Sequence, residues 1–312
     1  MTVADGVAEL PRSRGLFGIG LLISAMLAAC GASPSSAPPS AIPKLTITAG
    51  ANGYDVQPTT PLPAGTVELD LRNSSRLPVQ FMFGSPLGST TLAQVRATVT
   101  SGSLDRLQQQ VEFGFGWALP PTQAQTLFLT YRASTNFVLS LISLGPNTPV
   151  QAAQGFLAQF TVRGTPAKAQ SQRSVAGTLT VTGHSVSVPD GFGKGTFAML
   201  NTDASAGHEL SFFRFTGAAH PLSEVVAAFG AVGQATGPAP PTGPPPDQAL
   251  GLQGLGSAQP LPADGCSCIM GSRVLGAFAL SPGTYVVLGS GYDPTTKALE
   301  ATEGIAAEFT VK

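Results

Sequence analysis

Apolar and polar residues alternate through much of the chain beyond residue 44. Leu45, Ile47 and Ala49 alternate with Thr46 and Thr48, and Leu179 and Val181 alternate with Thr180 and Thr182. A period of two puts the apolar set on one sheet face, so both segments predict half-buried strands. A glycine-led strand follows each: Gly65 before Val67, Leu69 and Leu71, and Gly195 before Phe197-Ala198-Met199-Leu200. Both run into an asparagine, Asn73 or Asn201, and then a polar turn. Val79-Gln80-Phe81-Met82-Phe83 and His208-Glu209-Leu210-Ser211-Phe212 predict the next strand of each copy.

The period then changes. Leu92, Val95 and Val99 repeat as Leu222, Val225 and Phe229, the i, i+3, i+7 stripe of a short helix with one buried face. Thr91 and Gln94 have capping-box spacing, and Pro221 suits a first helical position. Both copies close on one strand signature, Ala158, Phe160, Val162 and Ala307, Phe309, Val311. Matching positions lie 130 residues apart at the helix and 149 apart at the closing strand, so the second copy carries an insertion. That insertion, 237–256, is rich in Pro and then in Gly and Leu, and reads as a loop. The pattern predicts an all-β chain of two tandem Greek-key β-sandwiches, 44–163 and 178–312, each with a short helix. Residues 164–177, polar and unpatterned, read as the linker.

Composition narrows the function. Only 11% of the 312 residues are charged, against about 25% in an ordinary soluble domain. The balance of 16 Lys+Arg and 17 Asp+Glu leaves no basic surplus for phosphates, which excludes an electrostatic nucleic-acid binder. A hydrophobic content of 43% argues against disorder, and 37 Gly with 27 Pro suits many turns. Three cysteines are too few for a disulfide-framed miniprotein.

The first cysteine reads as an address. Arg12 and Arg14 precede an apolar run, Gly15 to Met26, which is shorter than the ~20 residues of a membrane span and suits a secretory signal. The run ends in Leu27-Ala28-Ala29-Cys30-Gly31, which resembles a bacterial lipoprotein signal with its Leu, two small residues and Cys. The resemblance implies cleavage after residue 29, lipidation of Cys30 and a membrane-anchored, extracytoplasmic protein of the cell envelope. Residues 30–43, with Ser33-Pro34-Ser35-Ser36-Ala37-Pro38-Pro39-Ser40, read as a flexible tether.

The order of elements, together with Leu280-Ser281-Pro282-Gly283-Thr284-Tyr285-Val286-Val287-Leu288 and the closing Glu308-Phe309-Thr310-Val311, resembles the bacterial cupredoxin-like (blue-copper-like) family. The likeness is clearest in 178–312. A blue site needs two imidazoles and a thiolate in a plane, with a weak axial ligand such as Met. The resemblance puts the first His at His208, the Cys at Gly289, the second His at about Glu300 and the Met at about Ile305. In the first copy the matching positions are Val79, Ser140 or Leu141, Gln151 and Phe156. One ligand of four is retained in the second copy and none in the first. Residues 281–312 contain no Cys, Met or His at all. Neither unit is therefore expected to be a blue-copper electron carrier, and no cofactor is expected.

Other chemistry has several readings. Cys266 and Cys268, with Met270 nearby, could form a stabilising disulfide, a strained redox-active one, or a thiolate pair for a soft metal such as Cu(I), or have no role. His208, His220 and Glu300 could form a non-blue metal site if the loops bring them together; otherwise His208 is a satisfied relic and His220 only precedes a helix. Phe113, Phe115 and Trp117 alternate with Glu112, Gly114 and Gly116, and read either as core positions or as an exposed aromatic rim. No Gly-x-Ser-x-Gly nucleophile motif occurs, and Gly191-Phe192-Gly193-Lys194-Gly195 lacks phosphate-loop spacing. The expected function is thus non-enzymatic: a lipid-anchored binding or structural protein with an envelope protein partner or small ligand. Copper binding or delivery through His208 or the Cys266/Cys268 pair is the alternative.

Overall fold

The computed structural model describes residues 41–143, 148–166, 173–203, 207–233, 244–261, 269–270, 273–293 and 296–312. Cys30, the signal and most of the tether lie outside them, as do Cys266 and Cys268. The first copy contains β1 (Lys44–Gly50), β2 (Gly53–Gln57), β3 (Leu62–Pro63), β4 (Gly65–Asn73), β5 (Val79–Pro86), α1 (Leu92–Thr100), α2 (Leu104–Gln108), β6 (Val111–Leu119), β7 (Ala124–Tyr131), β8 (Ser134–Leu139) and β9 (Leu157–Arg163). The second contains β10 (Gly177–Thr182), β11 (Ser185–Ser187), β12 (Lys194–Asn201), β13 (His208–Phe215), α3 (Leu222–Gly233), α4 (Pro246–Ala249), β14 (Leu252–Leu261), β15 (Arg273–Ala279), β16 (Gly283–Gly289) and β17 (Ala306–Val311). A 3₁₀ turn precedes the closing strand of each copy, Gln151–Gln154 and Glu300–Glu303.

The chain is all-β, in two sheets packed as a sandwich, as the alternating pattern requires. Alternation is visible in the burial: Leu45, Ile47 and Ala49 are buried while the threonines between them are half-exposed. The capping box at α1 is formed, with Thr91 Oγ1 accepting from the Gln94 amide and Gln94 Oε1 accepting from the Thr91 amide. Val95 and Val99 are buried beneath it, and Val225 is buried beneath α3.

The sheets themselves hold what the pattern did not show. Both run through both copies: β11-β10-β12-β15-β7-β4-β1-β2 and β17-β16-β13-β14-β6-β5-β8-β9-β3. At each seam a strand pairs antiparallel with its own counterpart, β7 with β15 and β6 with β14. The β7–β15 register is reciprocal. Thr126 faces Ala277 and Phe128 faces Leu275, while Thr126 matches Leu275, and Phe128 matches Ala277, at the 149-residue repeat spacing. The copies are thus related as the two halves of an isologous dimer made within one chain. Pairing at the seam also covers sheet edges that each copy alone would expose. One continuous core joins them, with Leu69, Phe81 and Trp117 in the same cluster as Leu179, Phe212 and Val287.

The seam corrects the reading of 237–256 as a loop. Residues 237–243 lie outside the described residues, but α4 and the first half of β14 fall within the stretch. Its glycines and leucines hid a strand because one of those glycines is needed for a close approach. Gly256 has φ +133°, and a Cβ there would lie 2.7 Å from the Ala118 carbonyl oxygen across the seam.

Candidate functional site

Each copy gathers four positions at one end of the sandwich, and those are the positions the cupredoxin resemblance gives to copper ligands. In the second copy, His208 opens β13 and Gly289 ends β16, which pairs with β13 through Leu210 and Gly289. The chain then folds back. The Glu300 amide donates to the Gly291 carbonyl at 2.9 Å, the Ile305 amide to the Glu300 carbonyl at 3.1 Å, and the Gly289 amide to the Ile305 carbonyl at 2.6 Å. His208, Gly289, Glu300 and Ile305 therefore converge.

His208 is only 3% exposed, yet both ring nitrogens face carboxylates. Nδ1 lies 3.0 Å from Glu300 Oε1 and Nε2 lies 3.3 Å from Asp203 Oδ2. A neutral imidazole has one N–H and can donate to only one of them; the imidazolium donates to both. The hydrogen bond that His208 donates to Glu300 is the largest influence and raises the His208 pKa above its ordinary value, against the opposing effect of burial and with further help from Asp203. Asp203 escaped the sequence reading. The signal for it was the asparagine that ends each matching strand. Asn201 Oδ1 accepts from the Asp203 amide at 2.8 Å, just as Asn73 Oδ1 accepts from the Ser75 amide at 2.9 Å, so the side-chain turn delivers residue 203 to the histidine.

The first copy carries a neutral version of the same cluster. Ser140 Oγ donates to Gln151 Oε1 at 2.6 Å, and Gln151 Nε2 donates to the Pro78 carbonyl at 2.9 Å. The Gln80 amide donates to Ser140 Oγ at 3.3 Å, and Gln80 Oε1 accepts from the Leu141 amide at 3.0 Å. Ser140 and Gln151 are both buried, so this network ties the strand ends together from inside.

Neither donor set fits a blue-copper ion. The two carboxylates sit against opposite nitrogens of His208, so their oxygens and its lone pairs do not converge on one point. Gly289 stands where the thiolate would be, and a Cβ there would lie 2.7 Å from the Glu300 Cβ and 2.9 Å from the Ile305 Cβ. No side chain enters that position without movement of both neighbours. His220 is placed apart from this cluster. It lies just before α3, with Nδ1 3.2 Å from Glu224 Oε1 one turn along and its ring beside Phe215. Among the described residues no group of three His, Cys, Asp or Glu side chains is arranged to hold a metal ion.

No protein-family profile and no curated protein matches the sequence. Solved structures do resemble the fold. A dithionite-reduced auracyanin from Roseiflexus castenholzii is 16% identical, covers 41% of this chain and all of its own, and superposes with a TM-score of 0.26. A multicopper oxidase is 12% identical over 86% of this chain and 88% of its own, with a TM-score of 0.22. The copper nitrite reductase of Nitrosomonas europaea is 11% identical over 86% of this chain and 93% of its own, also with a TM-score of 0.22. At these identities the likeness concerns the fold alone.

These neighbours correct the expectation that the chain is not an enzyme. Two of them are an oxidase and a reductase, which are enzymes. Missing motifs do not exclude catalytic groups that come together only in space.

The aromatic alternation of β6 resolves toward the core. Phe115 and Trp117 are buried and Phe113 is half-buried. Trp117 stacks on Phe212 of the other copy at 5.9 Å with an interplanar angle of 18°. No helix among the described residues is long and apolar enough to cross a membrane.

Proposed function

We propose that the chain is a cell-envelope lipoprotein, held to the membrane through Cys30 and the tether, whose two fused cupredoxin-like units form a rigid binding body in place of a blue-copper carrier. Its partner is an envelope protein or a small ligand and not a nucleic acid. The observation that carries this reading is the filled ligand position: Gly289 is closed over by Glu300 and Ile305, and Glu300 engages His208. A body joined through two sheets and one core suits display of a fixed surface at the end of a flexible tether.

Titration of the purified protein with Cu(II), followed by visible absorbance, tests it. The expected result is no intense thiolate-to-copper band at any ratio; a strong blue band overturns the reading. Copper bound without colour, and lost on replacing Cys266 and Cys268 by serine, would assign the metal to that pair. Cys30→Ala is expected to move the protein from the membrane fraction to the soluble extracytoplasmic fraction, and retention in the membrane would contradict the anchor.

A further inference from the structure

Where the two copies meet, the sandwich does not close completely. A cavity of about 370 Å³ lies between the sheets beside the seam, bounded by Trp117, Phe212, Leu255, Phe278 and Leu280, with Gln125 and Thr126 on the β7 side. Its walls come from both copies. Trp117 and Thr126 belong to the first, and Phe212, Leu255 and Phe278 to the second.

We propose that this cavity is a binding site for a small, mainly apolar aromatic molecule. Three observations lead there. The first is size and lining. An apolar cavity of about 150 Å³ already accepts benzene, and small-molecule sites start at about 300 Å³, so 370 Å³ suits two or three fused rings. The second is chemistry. The wall aromatics offer ring faces and edges for stacking, with Trp117 and Phe278 6.4 Å apart and inclined at 59°. The third is rigidity. The seam pairs Ala277 with Thr126 and Ala258 with Trp117 hold the wall strands in register, and Gln125 Nε2 donates across the seam to the Ala277 carbonyl at 2.9 Å. A preformed pocket loses little entropy on binding. No polar side chain of the cavity is charged, so an ionic ligand would find no counter-charge there.

The proposal deepens the reading of the chain as a binding body. It is read by fluorescence, where that reading is tested by copper absorbance, so either can fail alone. Trp117 is the chain's one tryptophan, so its emission reports from the cavity wall. The probe is N-phenyl-1-naphthylamine, a neutral apolar fluorophore. The expected result is saturable, one-to-one quenching of Trp117 emission, with matching rise of probe emission. Leu255→Trp and Leu280→Trp, which enlarge two wall side chains that pack against the core, are each expected to weaken the probe at least tenfold while keeping the wild-type circular dichroism. Absence of saturable quenching in the wild type overturns the proposal, as does unchanged affinity in a folded filling variant. A crystal of the complex decides independently of the variants. Probe density against Trp117 and Phe278 supports the site, and density confined elsewhere overturns it.

Discussion

Replacing Glu300 by alanine is expected to destabilise the protein by about 3 kcal/mol at neutral pH, because it removes one of the two carboxylates that pair a buried imidazolium. His208 keeps Asp203 on Nε2 but loses the partner on Nδ1 that does most to favour its charged form. The pH dependence separates this from simple loss of packing. The folded pKa of His208 is raised above its unfolded value, so the histidine's contribution is fully present below the ordinary histidine range, about pH 6.5. It is lost as pH rises through the higher folded value. Glu300→Gln keeps the shape and removes the charge. The gap in melting temperature between wild type and Glu300→Gln is therefore expected to be widest near pH 6 and to close as the pH rises through the raised folded pKa of His208. Asp203 is the other charged group facing the ring, so Asp203→Asn is expected to give a smaller gap of the same sign. A gap that stays constant with pH would mean that His208 is neutral in the folded protein.

The second large effect is expected at the seam. Trp117→Ala removes the largest fully buried side chain of the core, one that touches Phe115 of its own copy and Phe212 and Phe278 of the other. Truncations of this kind cost about 3–5 kcal/mol. The more telling readout is cooperativity. Two sandwiches on a linker would melt independently, whereas two copies sharing both sheets and one core should unfold in a single calorimetric transition. Wild type and Trp117→Ala are both expected to show one transition, shifted down in the variant. Two resolved transitions in the wild type would contradict the shared core.

The strands were legible in the sequence because a sheet with one buried face writes its period of two directly into the residues, as at Leu45, Ile47 and Ala49. The helix cap was legible for a similar reason, since Thr91 and Gln94 act locally. The seam was not legible. β14 is built from Leu252-Gln253-Gly254-Leu255-Gly256, where glycine serves the approach of β6, and composition alone made it look like a loop. The four positions that the resemblance named, His208, Gly289, Glu300 and Ile305, come together because they are set by strand ends. What occupies these positions was only half visible. The Glu300 contact with His208 joins positions 92 residues apart, and the Ser140 contact with Gln151 depends on a fold-back that no periodicity records. Asp203 was within reach, since Asn201 two residues earlier has the composition of a side-chain turn.

The account turns on the second copy's cluster being a closed ion-pair clamp with no room for a copper ion. Anomalous diffraction at the copper edge, from crystals grown in excess Cu(II), reports on that cluster directly. The expected map has no copper peak within bonding distance of His208, with Glu300 still on Nδ1 and Asp203 still on Nε2. A copper ion bound to His208 Nδ1, with Glu300 swung aside or serving as a ligand, would contradict it.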